Sequence, residues 1–171
     1  LRTGVIDAWI ACYPDVPDPE DAEFASFHLT RLPTNLVVAE GHPLIELGDA
    51  VTLDHVKEYP SLALRDNAFP KVQSILQNLG LWNLPLNQKR YSPEKWEGRV
   101  EDLTIGYATS FSIGLFERPR VILPIQIPLE VGDTLVVRRK FADHPRLLEL
   151  LAFLQSKALN LSNRSSDVRI P

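Results

Sequence analysis

The sequence predicts a mixed α/β fold of two lobes, and three observations carry that prediction. Short apolar runs of strand length alternate with segments patterned for helix, the order that builds α/β architectures with mostly parallel sheets. Two long extended stretches without helix signals, Phe27 to Ala39 and Val121 to Leu129, bracket about a hundred residues, the size of a small domain. No period of about 20–50 residues repeats, which sets solenoids aside. Two crossovers around an inserted unit imply lobes joined by a pair of hinge strands, with ligands favouring the cleft between them.

The elements follow in order. Val5 to Cys12 is apolar except for Asp7 and reads as a strand buried on both faces of a parallel sheet. Tyr13 to Glu23 holds three prolines and five acids and reads as an exposed loop. Phe27 to Leu32 and Asn35 to Ala39 read as two extended pieces divided by Pro33, which lacks a ladder donor. Thr52 is an N-cap for a short helix through Glu58, with Leu53 and Val56 turned inward, and Ser61 to Leu64 is the next strand.

The strongest helix signal runs from Pro70 to Leu79. Proline stands at its first position, Val72, Ile75, Leu76 and Leu79 form one apolar stripe, and Gly80 follows its end. Leu86 to Ser92 and Leu103 to Ala108 read as extended, separated by the polar segment Pro93 to Gly98, in which Trp96 covers the end of a lobe. Gly132 and Asp133 read as a turn before a strand from Thr134 to Val137. Asp143 caps a last helix with Leu147, Leu150, Leu151, Leu154 and Ala158 along one stripe, and the tail beyond Leu159 reads as frayed.

The composition narrows the function classes. The 171 residues are 44% hydrophobic and 23% charged, with a net charge of −4, which suits a soluble chain with a sizeable core. The excess of acids argues against direct grip on a nucleic-acid backbone, and the single cysteine, Cys12, excludes an internal disulfide framework. There is no methionine, so the chain reads as processed or as a fragment. No apolar run reaches about 18 residues and no secretory signal opens the sequence, so a cytoplasmic location without membrane contact is expected.

In this order the local patterns resemble the effector-binding domain of LysR-type transcriptional regulators. Leu1-x-x-Gly4-x-Ile6-Asp7-Ala8-x-Ile10 is similar to that family's opening turn and strand. Leu36-Val37-Val38 followed by Gly41-His42-Pro43-Leu44 is similar to its first crossover. Leu53 to Leu64, Leu79-Gly80-Leu81, Leu123-Pro124, Leu135-Val136-Val137 and the helix Leu147 to Leu154 complete the order. The resemblance implies a two-lobed fold like type II periplasmic binding proteins, with a complete second lobe at residues 32–126 and a partial first lobe at residues 1–31 and 127–171. It also implies a small-molecule effector, homo-oligomers, and DNA contact only through an N-terminal domain outside this sequence. Two departures stand out. The family's glycine-rich segment is replaced by Val100 to Phe116, and the helix-turn-helix, linker helix and opening of the first lobe are absent. A transporter's solute-binding protein of the same architecture is the alternative.

Catalytic and metal chemistry find little footing. No nucleophile elbow, phosphate loop, zinc-protease helix or paired-cysteine motif occurs, and His28, His55 and His144 are not spaced as ligands, so neither an enzyme nor a metal or cofactor site is expected. His42 reads as a turn cap in preference to an effector contact, and Cys12 as a packed thiol. Arg138-Arg139-Lys140 reads as a solvated strand end.

Ligand candidates come from topology, because ligands sit at strand ends and near helix starts in open α/β sheets. Arg65 and Asn67 are placed to fork onto a carboxylate, with Phe69 covering an apolar ring. Tyr107, Thr109 and Ser110 supply an aromatic ring and hydroxyls at another strand end, with Phe111 beside them. Tyr13 after the first strand and Thr30 at the first crossover complete the set. The expected effector is a small carboxylate or aromatic metabolite.

Overall fold

A computed structural model of the chain describes residues 1, 3–63, 69–85, 93–110 and 112–165. It divides into two compact units, the first built from Leu1–Leu32 and Glu130–Pro171, the second from Pro33–Leu129. Helix and strand mix as predicted, but pairing is mainly antiparallel.

In the first unit, strands β1 (Ala8–Tyr13) and β2 (Phe24–His28) flank the C-terminal part of β7 (Arg120–Arg138), both antiparallel to it. Alternation along β7 sorts its side chains. Leu135 and Val137 pack with Ala25 of β2 and with Leu151 of helix α4 (Pro145–Ser165), while Val136 packs with Ala11 and Phe24 on the opposite face. The expected doubly buried first strand is not seen. Val5 is 84%, Trp9 54% and Ile10 47% exposed, because β1 pairs with β7 alone and α4 covers the part of the sheet built from β2 and β7.

Three other expectations are corrected. Pro33 does not divide the extended segment. It sits exposed at the second position of β3 (Leu32–Ala39), where a missing donor costs little, and the break falls at residues 29–31. Gly132 and Asp133 do not turn the chain but lie inside β7. The glycine is needed there for a close approach, since a Cβ would overlap the Thr30 carbonyl. The last helix continues to Ser165 instead of fraying after Leu159, and Leu150, expected in its stripe, is 43% exposed.

The second unit has β3 hydrogen-bonded between β7 and β6 (Gly106–Thr109), with β6 antiparallel to β3. Leu36, Val37 and Val38 of β3 are fully buried. A separate parallel pair joins β4 (Leu62–Ala63) to β5 (Leu84–Pro85), and Ser61 bridges in parallel to Ile105.

Thr52 caps α1 (Leu53–Lys57) as predicted. Its hydroxyl accepts from the His55 amide while the His55 ring accepts from the Thr52 amide, and Val56 is buried. Helix α2 (Pro70–Asn78) buries Val72 and Leu76 and ends at Gly80, whose φ of 74° suits glycine.

The polar segment from Pro93, expected as a connection, forms α3 (Pro93–Glu101) with proline at its first position and Val100 buried against Leu62. Glu101 is paired by both Arg118 (3.5 Å) and Arg120, which ties the end of α3 to the start of β7. The strand expected at Leu103 begins only at Gly106. Leu103 has a φ of 59°, and that left-handed turn precedes the strand. Leu64, the segment Leu86 to Ser92 and the side chain of Trp96 lie outside the described residues.

Candidate functional site

Each unit carries one polar cluster near the predicted residues. In the first unit, Tyr13 pairs with Gly132 and His28 with Thr134, two positions of β7 that share a face. Gly132 presents no side chain, so the Tyr13 ring reaches over it and meets the His28 ring edge-on at 5.1 Å. The Arg31 guanidinium lies 4.2 Å from the centre of the Tyr13 ring, and its Nη2 is 2.7 Å from His28 Nε2.

This geometry sets the histidine tautomer. Arginine can only donate, so Nε2 accepts, and Nδ1–H donates across 3.0 Å to the hydroxyl of Thr134, which is fully buried. Burial, and then the Arg31 charge, hold the His28 pKa below its ordinary value. The imidazole is therefore neutral at pH 7 and orients the guanidinium. Arg31 is exposed and, among the described residues, paired with no carboxylate, which leaves an oriented cation able to receive an anion.

Thr30 is more committed. Its hydroxyl accepts from the Asp133 amide at 2.8 Å, and the amides of Leu29 and Thr30 both donate to the Asp133 carbonyl. This clamp holds the segment leaving β2 against β7 and thereby fixes Arg31. Cys12, next to Tyr13, is half-buried, with its thiol pKa raised mainly by burial, and its Sγ lies 3.4 Å from the Tyr13 carbonyl. A raised pKa suits a packed thiol, not a nucleophile.

In the second unit, Thr109 and Ser112 bond reciprocally. The Thr109 amide donates to Ser112 Oγ at 2.8 Å, and the Ser112 amide to Thr109 Oγ1 at 3.1 Å. The chain leaving β6 is thus held in a compact turn, with Ser110 at its exposed tip. Tyr107 is turned into the fold. Its hydroxyl donates to the Leu81 carbonyl at 3.0 Å, and burial pushes its pKa up to about 12. The same carbonyl accepts from Ser61, whose amide donates to the Asn83 side chain at 2.6 Å. Phe69 is half-buried at the start of α2, where its carbonyl accepts from the Gln73 amide. Arg65, Asn67 and Phe111 lie outside the described residues.

His42 is the turn cap that the sequence suggests. Its Nδ1 accepts from the Leu44 amide at 3.2 Å, its Nε2 lies 3.2 Å from the Leu103 carbonyl, and the Tyr59 ring packs against it at 4.5 Å, tilted by 58°. Both nitrogens are occupied in the neutral form, and burial lowers the pKa. Among the described residues no group of three or more His, Cys, Asp or Glu side chains is arranged to hold a metal, and no helix is long and apolar enough to cross a membrane.

Sequence reasoning missed Arg31, His28 as its partner, and Ser112. The Thr109-x-x-Ser112 spacing after a strand is itself a turn signal. The Arg31 cluster has no local signal, because three separate segments meet only through the register on β7.

No protein-family model and no curated protein matches this sequence. Solved structures do. The chain is similar over 100% of its length to a cysteine mutant of OxyR from Corynebacterium glutamicum, with a TM-score of 0.70 and 17% identity, and it covers 54% of that protein. It is similar over 95% of its length to the effector-binding domain of a BenM variant, with a TM-score of 0.69 and 18% identity, covering 76% of that chain. The reduced form of OxyR from N. meningitidis gives a TM-score of 0.64 at 19% identity, over 91% of this chain and 72% of that one. The chain thus spans about half the length of the OxyR protein from C. glutamicum. The chain has the fold shared by these neighbours, the periplasmic-binding-protein-like fold of LysR-type effector-binding domains.

Proposed function

We propose that this chain, which has the fold of a LysR-type effector-binding domain, is the ligand-sensing part of a bacterial LysR-type transcriptional regulator. The observation that carries the reading is the structural likeness over the whole chain to such domains. In this reading residues 32–126 are the second lobe, residues 1–31 and 127–171 part of the first, and a small metabolite binds in the cleft between them. The exposed apolar side chains of β1 support an incomplete first lobe, since further elements of that lobe would pack there. The protein works in the cytoplasm as a homo-oligomer, catalyses no reaction, and reaches DNA through a head outside this sequence.

The effector is a small carboxylate or aromatic acid. Arg31 supports that class, being an oriented guanidinium with no carboxylate partner among the described residues, flanked by the Tyr13 ring. Arg65, Asn67, Phe69, Tyr107, Thr109 and Ser110 are the proposed contacts of the second lobe, and Tyr13 and Thr30 those of the first. Tyr107 and Thr109 act mainly by shaping the site, since their hydroxyls are engaged within the fold. Binding shifts the regulator only by the difference in affinity for its two lobe arrangements.

The test is a thermal-shift screen of small carboxylates and aromatic acids on a chain with a restored first lobe. A ligand that raises the melting temperature of the parent but not of Arg31→Gln or Arg65→Ala supports the site. The same rise in both variants rejects it. A secretory signal in the parent gene, in place of a helix-turn-helix, overturns the regulator reading in favour of a transporter component.

A further inference from the structure

Arg31 has a titratable neighbour, and the geometry of the pair fixes where that neighbour takes up a proton. His28 Nδ1–H donates to the Thr134 hydroxyl at 3.0 Å, and Thr134 is fully buried, so this hydrogen stays in place in both charge states of the ring. Titration is left to Nε2. That nitrogen faces the guanidinium, accepting from Arg31 Nη2 at 2.7 Å. The proton that turns the ring into an imidazolium therefore arrives beside the cation that is the proposed effector contact.

Without a ligand the pair resists that proton. Protonated Nε2 no longer accepts, so the bond to Arg31 is lost and two cations oppose each other. Accordingly the His28 pKa lies below its ordinary value, through burial first and the Arg31 charge second. The other groups that bear on the ring are few. The Tyr13 ring of β1 meets it edge-on at 5.1 Å and lies 4.2 Å from the guanidinium carbon. Glu130, exposed on the same face of β7 as Gly132 and Thr134, makes no ion pair with Arg31 among the described residues. Asp133 and Asp15 act on the Cys12 thiol, which alternation along β1 puts on the face opposite to Tyr13.

An anion removes the conflict. Set against the guanidinium, it accepts from the imidazolium as well, so that a negative charge bridges Arg31 and His28. We propose that anion binding at Arg31 is coupled to proton uptake at His28 Nε2, so that a carboxylate effector binds together with a proton and more tightly as pH falls. The inference rests on the reading of Arg31 as an effector contact. The proton comes from solvent, the bond between Nη2 and Nε2 is given up, and no covalent bond of the ligand changes. Linkage makes the effect reciprocal: the factor by which the proton raises anion affinity is the factor by which the anion raises proton affinity. A sensor built this way reads the anion and the pH jointly.

The test uses the 171-residue chain with sodium benzoate as probe, at an ionic strength held constant with sodium chloride, and follows the His28 ring resonances, assigned by their loss in His28→Gln. Carboxylates stay ionised above about pH 5, so benzoate keeps its charge through the range. Saturating benzoate should move the midpoint of the His28 titration up by about one pH unit, and benzoate should bind about three- to tenfold more tightly at about pH 5.5 than at about pH 7.5. His28→Gln, whose amide oxygen still accepts from Arg31, should bind benzoate as wild type does at about pH 7.5 and show no gain at about pH 5.5. Arg31→Gln should lose both the binding and the midpoint shift. Benzoate that binds through Arg31 equally well at both pH values and leaves the His28 midpoint in place overturns the coupling while the anion contact stands, as does a gain at low pH that persists in His28→Gln. No saturable binding at either pH, or binding undiminished in Arg31→Gln, overturns the coupling and the Arg31 contact together.

Discussion

Two apolar strands of this chain look alike in sequence and end in opposite surroundings. Leu36, Val37 and Val38 of β3 are completely buried between β7 and β6, whereas Trp9 and Ile10 of β1 are about half exposed. Both runs carry strand-forming composition. What separates them is the number of neighbours, because β3 is paired on both edges and β1 on one. Apolar composition therefore specifies an extended segment, while its burial depends on elements elsewhere in the chain.

The largest effect in this comparison belongs to a residue without a side chain. In Gly132→Val the new Cβ would enter the Thr30 carbonyl, and main chain on both sides leaves nothing flexible to yield. The clamp between Thr30 and Asp133 and the alignment of Tyr13 over His28 should fail together. A loss of about 3 kcal/mol or more is expected in urea denaturation. Leu36→Ala should follow at about 3 kcal/mol, as for a fully enclosed leucine whose surroundings relax only in part.

The histidines extend the contrast to pH. His42 is 1% exposed and uses both ring nitrogens when neutral, so a proton on Nδ1 would break the cap on the Leu44 amide. Burial lowers its pKa below 6.5, and His28 is lowered too, by burial and then by Arg31. A depressed histidine pKa means that the unfolded chain binds more protons through this window. Stability is therefore fully present above about pH 6.5 and is lost as pH falls from there toward the folded-state values. Unfolding curves between about pH 7.5 and 5 should show that decline. His42→Asn, which keeps a short capping group but does not titrate, should flatten most of it at a cost of about 1 kcal/mol at neutral pH. An unchanged slope would mean that His28 or carboxylates dominate.

The same distinction between local and distant causes explains which features the sequence makes legible. Helix α2, the Thr52 cap and the His42 cap are read from a few consecutive residues, because a cap or an apolar stripe involves partners within one or two turns. Helix α3 was obscured by its polar composition, although Pro93 at its start is a helix signal. Gly132 followed by Asp133 has turn composition, and only the approach of Thr30, about a hundred residues away in sequence, makes glycine a strand residue there. Arg31 is invisible for the same reason. Its partners come from β1, β2 and β7, and no spacing within one segment predicts that meeting. Thr109, by contrast, carries its partner three residues away.

The smallest expected effect returns to β1. Trp9→Thr removes a large ring that is 54% exposed, introduces a β-branched residue suited to the strand, and leaves the backbone pairing with Val136 intact. The part of the indole that is covered makes the cost finite, and the part already in water contributes nothing, so a loss below about 1 kcal/mol is expected. Measured at several protein concentrations, that value separates two situations. A small cost independent of concentration means that β1 faces water in this chain, as its single pairing implies. A cost approaching that of Leu36→Ala and growing with concentration would mean that another copy covers the strand in solution, since mass action ties such stabilisation to protein concentration.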